Sequence, residues 1–220
     1  MANPSHLSGR TPLTTNMRWE QGYPLDFKDA LERFPSRDEL TKLVAQPSSN
    51  RRFIYGAMML PTVLKYFLDL PQSAKIDMVY ATLPGYELYE FSKDGLPTIK
   101  PSSDSDAVVQ GMLIFGLDRN QRKKIFEVES DQIGKCEQSK LVNVPVQIYQ
   151  EDLVDSYNIR RQRIVYTKTY VWNSRMDGLE PMNSKYWPMD IFLQGQLYEN
   201  IEQHQNGVHD KDEDDEDSME

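Results

Sequence analysis

Apolar residues of the 220-residue chain recur with two periods. In Asp26–Phe34 they stand at 27, 30, 31 and 34, the i, i+3, i+4, i+7 spacing of one helical face, and a second helical patch covers Arg37–Ala45. Pro35 separates the two, since it can neither donate its amide nor continue a helix. Phe53-Ile54-Tyr55 is a short β-prone run closed by Gly56, and Met58–Leu70, ended by Pro71, reads as a helix. Four further stretches carry β-branched and aromatic residues in loose alternation: Ala81–Phe91, Asp106–Leu117, Leu141–Tyr149 and Arg163–Trp172. Between the second and third lies a helical stretch, Arg119–Val128. Asp118 is placed to cap it, with Gln121 three residues on as in a capping box. Trp187–Gln203 carries Ile191, Phe192, Leu197, Tyr198 and Ile201 close to a helical stripe. The pattern predicts an α+β fold, mostly β with a few packed helices. The expected organisation is an N-terminal extension with short helices over 1–50, a compact domain over 51–173, a C-terminal docking helix region over 174–205 and a disordered acidic tail over 206–220.

Composition narrows the function. The size supports one core rather than two. Of the net charge of -9, residues 210–220 contribute -7, so the rest of the chain carries only -2. Without a basic face, nucleic acid is not an expected partner. The run Arg160–Trp172 mixes basic and aromatic residues, but its alternation reads as an ordinary strand before a nucleic-acid platform. One cysteine, Cys136, permits no intramolecular disulfide, and no four-ligand zinc cluster is present. No stretch approaches about 18 consecutive apolar residues, and no signal peptide is visible, so no membrane association and a cytoplasmic location are expected.

The three histidines, His6, His204 and His209, sit in tails or at a helix end. A Ser-His-Asp or Cys-His centre needs a base held rigidly beside its nucleophile, so acid-base work falls to carboxylates. Glu127 and Glu129 stand out at the end of the Arg119 helix. Residues two apart lie about 200 degrees apart around a helix, so only one points inward.

These residues carry a resemblance. The order Phe53-Ile54-Tyr55-Gly56-Ala57-Met58-Met59, Leu83-Pro84-Gly85-Tyr86, Leu96 to Pro101, Val109-Gln110-Gly111-Met112-Leu113, Gly116-Leu117-Asp118 through Val128-Glu129, and Thr169-Tyr170-Val171-Trp172 resembles the gamma-glutamylcyclotransferase superfamily, in its avirulence-induced-gene-like branch. The resemblance implies a small curved mixed sheet, nearly a barrel, with helices around it. It implies a substrate-binding strand-turn at Tyr55, Gly56, Ala57, Met58 and Met59, and a catalytic glutamate at Glu129, with Glu127 as bystander. The reaction it implies is attack of an α-amine on its own γ-glutamyl carbonyl, releasing 5-oxoproline and an amine. That reaction needs neither cofactor nor metal, and its partner is a small-molecule γ-glutamyl compound.

The chain departs from the family pattern at Ala57, Phe126 and Leu96, carries a polar insert at Asp131–Ser139, and has another insert, Tyr149–Arg163, between the last two strands, both expected to reshape the pocket mouth. Two alternatives therefore stand beside the cyclotransferase: a cyclase or lyase of specialised metabolism reusing the pocket, and a non-catalytic binding protein whose acidic tail recruits a basic partner. For the tail itself, a solubilising segment is the simpler expectation.

Overall fold

A computed structural model describes residues 17–91, 97–132, 139–154, 157–174 and 178–207. Cys136, His6, His209 and the acidic tail beyond residue 207 lie outside the described residues, as does most of the Asp131–Ser139 insert.

The expected α+β fold is present. Five strands close into a barrel in the order β1-β5-β2-β6-β7, formed by β1 (Arg52–Ile54), β2 (Met78–Pro84), β5 (Val108–Ile114), β6 (Ser139–Val154) and β7 (Tyr157–Trp172). All pairings are antiparallel except β1 with β7, which makes the sheet mixed. That closing seam has a single register pair, Arg52 opposite Lys168. Two side chains reinforce it: the Thr169 hydroxyl donates to the Phe53 carbonyl at 2.9 Å, and the Tyr55 hydroxyl donates to the Tyr170 carbonyl at 2.9 Å.

The expected strand Ala81–Phe91 is two strands. Gly85 adopts a φ of 77°, a left-handed conformation that costs an L side chain but not glycine, and the chain leaves the barrel there. Beyond it, β3 (Tyr86–Phe91) is the centre of a second, three-stranded sheet, flanked by β4 (Pro97–Pro101) and β8 (Leu179–Pro181). Neither edge strand was expected, since each is short and bounded or interrupted by proline.

The Tyr149–Arg163 insert is not a loop. Strands β6 and β7 run on through it as a paired ribbon, from Ser139 opposite Trp172 to Val154 opposite Tyr157. Its outer part is tied to the link between α1 (Leu25–Glu32) and α2 (Arg37–Ala45): the Glu151 amide donates to the Pro35 carbonyl at 3.0 Å, and the Arg160 guanidinium lies 3.9 Å from the centre of the Phe34 ring.

Two apolar clusters result. Alternate residues of the barrel strands, including Phe53, Val79, Ala81, Leu83, Val109, Leu113, Val144, Val146 and Ile148, fill the interior together with Leu40 and Leu43 of α2. Outside it, Ile54, Met59, Met78 and Met112 meet Phe27 and Ala30 of α1, Val63 and Leu64 of α3 (Pro61–Phe67), Ile125 of α4 (Arg119–Gln132) and Ile201 of α6 (Gln196–Gly207). The expected helix from Met58 to Leu70 is thus shorter, a 3-10 turn over Ala57–Met59 followed by α3, because Pro61 suits only a first helical turn. The Trp187–Gln203 stripe divides into α5 (Asp190–Leu193) and α6. Among the described residues no helix is long and apolar enough to cross a membrane.

Candidate active site

The strand-turn is built by close approach. A Cβ at position 56 would stand 3.0 Å from Cγ of Pro97 in β4, so the turn lies close against the proline ring and a larger residue would press on it. The following 3-10 turn begins with the Met59 amide donating to the Gly56 carbonyl at 2.8 Å. The amides of Ala57 and Met58 precede that first bond and have no acceptor within the turn.

Helix α4 supplies the facing carboxylate. Its start is the reciprocal cap expected: the Asp118 amide donates to the Gln121 side-chain carbonyl at 2.9 Å and the Gln121 amide to the Asp118 carboxylate at 2.8 Å. The helix continues to Gln132, so Glu129 lies within its last turn rather than at its end. The two glutamates part as their spacing requires. Glu127 is exposed and accepts an ion pair from Lys123 at 3.1 Å, one helical turn back. Glu129 faces inward.

Glu129, Tyr55, Gly56, Ala57 and Met58 line one cavity of about 410 Å³. That volume lies within the range of small-molecule sites. Met59 does not line it; the side chain is fully buried in the outer apolar cluster, one residue further around the turn. The cavity has two chemical sides. The turn, Glu129 and Glu90 of β3 form the polar side. The apolar lining includes Trp187, Pro188, Ile191, Phe192 and Leu197, the last three from α5 and α6, with Trp187 and Phe192 rings 5.6 Å apart. Neither Glu90 nor this wall was assigned to the site from sequence, although the helical stripe that carries much of the wall was visible.

The electrostatics single out Glu129. Burial pushes its carboxyl up to about 7, and the charge of Arg52 pulls it back only partly. Burial, followed by the Glu129 carboxyl, holds the Tyr55 phenol well above its usual range, so it stays a neutral donor to the Tyr170 carbonyl. Arg52 is itself buried, which pushes its guanidinium down, and it lies 6.0 Å from the Tyr170 ring centre. A carboxyl poised near neutrality can take a proton and return it, as a general base and then a general acid require. Among the described residues no group of three or more His, Cys, Asp or Glu side chains could hold a metal ion.

Among solved structures, the chain is similar to two Arabidopsis thaliana proteins determined in solution. One is 20% identical, with 74% of this chain and 93% of that one covered and a TM-score of 0.41; the other is 22% identical, with 74% and 84% covered and a TM-score of 0.43. It is also similar to a gamma-glutamyl cyclotransferase specific to glutathione from yeast, at 12% identity, 56% and 68% coverage and a TM-score of 0.34. No curated protein matches it. The family described as gamma-glutamyl cyclotransferase, AIG2-like, matches residues 52–189, more than half of the chain, from β1 through the Trp187 wall. The chain belongs to that family.

Proposed function

We propose that the protein is a γ-glutamyl cyclotransferase that converts a γ-glutamyl amide into 5-oxoproline and a free amine, with Glu129 as its acid-base residue. The observation that carries this reading is that Glu129 shares a cavity with the turn Tyr55 to Met58. The Glu129 carboxylate takes a proton from the substrate's α-ammonium. The freed amine attacks the γ-carbonyl carbon, forming the new C–N bond of the five-membered ring. The amides of Ala57 and Met58, which have no acceptor within their turn, stabilise the developing oxyanion. Glu129 then returns its proton to the departing nitrogen, the original C–N bond breaks and the amine leaves, while the ring nitrogen gives up its second proton to the Glu129 carboxylate, which hands it to the freed amine. Atoms and charge balance without a cofactor or metal.

The apolar wall fits the leaving side of the substrate, and a small-molecule substrate in a cytoplasmic setting accords with the single cysteine. The test is a panel of γ-glutamyl amides, dipeptides and conjugates, with 5-oxoproline followed by mass spectrometry. Glu129→Gln is expected to lower turnover at least about 100-fold, the scale of one acid-base group, and Glu127→Gln to leave it unchanged. Parental turnover in the Glu129 variant overturns the assignment.

A further inference from the structure

The polar side of the cavity holds a second carboxylate whose placement the acid-base chemistry does not use. Glu90 is half-buried on β3, the central strand of the small sheet, and lines the same cavity as Glu129. Its two register neighbours are Pro97 on β4 and Glu180 on β8. Residues directly opposite in a sheet project from the same face, so Glu90 has a like charge on one side and a ring without charge on the other. Such a pairing is unfavourable in the empty protein. Among the described residues no cation forms an ion pair with Glu90, and no lysine or arginine lines the cavity. The cavity therefore favours a cationic group over an anionic one on this side.

We propose that Glu90 is the counter-ion that binds the substrate's α-ammonium and holds it beside Glu129. The division of labour rests on the proposed function above. Of two carboxylates on one cavity, the one whose carboxyl burial brings near neutrality moves the proton. The other, on the central strand of the small sheet, takes no part in the proton transfer and binds the ammonium. An ammonium bound at Glu90 offsets its repulsion with Glu180 across the register pair.

The ammonium site can be read apart from turnover. Two compounds are titrated calorimetrically into full-length Glu129→Gln protein: γ-glutamyl-methylamide, and its desamino counterpart in which hydrogen replaces the amine. The amine-bearing compound is expected to bind at least about tenfold tighter at low salt, with the advantage falling as salt rises. In the Glu129→Gln/Glu90→Gln protein the advantage disappears, while affinity for the desamino compound is unchanged, which a merely structural loss would not leave intact. Equal binding of the two compounds to the single variant, or an equal loss of both in the double variant, overturns the inference. Failure of the parent enzyme to form 5-oxoproline, with the amine preference kept, would overturn the cyclisation chemistry and leave the ammonium site standing. In an active enzyme Glu90→Gln raises KM about tenfold and leaves kcat within about threefold.

Discussion

Glu129 shows most directly how one residue couples stability to activity. Its carboxyl titrates near 4.5 when exposed and at about 7 in the folded protein. Between those values the folded state holds a proton that the unfolded chain has released, so stability falls as pH rises through this window. Below the window there is no cost, and above it the full cost is about 3 kcal/mol. Glu129→Gln, which imitates the protonated form, is therefore expected to raise the denaturant midpoint relative to the parent at pH 8 and to leave it unchanged at pH 4. The same carboxylate must be ionised to act as a base, so kcat/KM should rise with pH along an acid limb near 7. Arg52 opposes the shift, and replacing it with methionine, which keeps the apolar stem in its buried position, should move that limb to higher pH. A limb that stays in place would mean that Arg52 does not tune Glu129. Gly111 illustrates a different constraint at the same scale. A Cβ there would stand 2.2 Å from the Ile54 carbonyl oxygen and 2.8 Å from the Phe53 ring, so β1 can lie against β5 only if the position is bare. Gly111→Ala is expected to cost about 3 kcal/mol, measured by chemical denaturation. The motif Val109-Gln110-Gly111 was legible in sequence as part of a family order, but its reason was not, because the crowding comes from residues more than fifty positions away.

Secondary structure elements were legible where their own residues dictate them. The α4 cap and the break at Pro35 depend on neighbours within a few positions and are found where the chain predicts them, and β6 and β7 contain the predicted alternating stretches but run on through the Tyr149–Arg163 segment. The second sheet escaped because β4 and β8 are too short to show alternation and gain their order from β3. The barrel seam likewise cannot be read from pattern. A single backbone register pair joins β1 to β7, so the hydrogen bonds of Thr169 and Tyr55 hold a larger share of the closure than side chains usually do. Thr169→Val and Tyr55→Phe are each expected to cost about 1 kcal/mol in thermal or chemical unfolding, and Thr169→Val the more because its partner carbonyl stays buried. Elements α5 and α6 make the converse case. Ile191 is 85% exposed and Leu197 52% exposed, yet both line the cavity, so they contribute little to the core. Serine at either position should leave stability nearly unchanged while raising KM for γ-glutamyl amides with bulky apolar amines and sparing the methylamide. An equal change in KM for both substrates would place the leaving group elsewhere in the cavity.

At the scale of the molecule, the family match begins at residue 52, but the core does not. Periodicity along residues 26–45 shows two helices without showing what they pack against, since an amphipathic face reveals only that some apolar surface lies opposite. In the folded protein Phe27 and Ala30 enter the outer cluster and Leu40 and Leu43 the barrel interior. Polar ties follow the same path. The Thr62 hydroxyl donates to the Asp26 carboxylate at 2.8 Å, and the buried Arg51 guanidinium donates to the carbonyls of Val44 and Gln46 at 2.9 and 2.6 Å. Removing residues 1–50 would strip five buried apolar side chains, Met17 included, and leave the Arg51 guanidinium with the Tyr166 carbonyl at 3.0 Å. Each lost large apolar contact costs about 2 kcal/mol or more, which together approaches the whole stability of a domain of this size. A chain of residues 51–220 is therefore expected to be insoluble or to bind a hydrophobic dye without a cooperative melting transition. If residues 51–220 alone unfolded cooperatively at the parental temperature, the two helices would be an appendage on a self-sufficient barrel rather than part of its core.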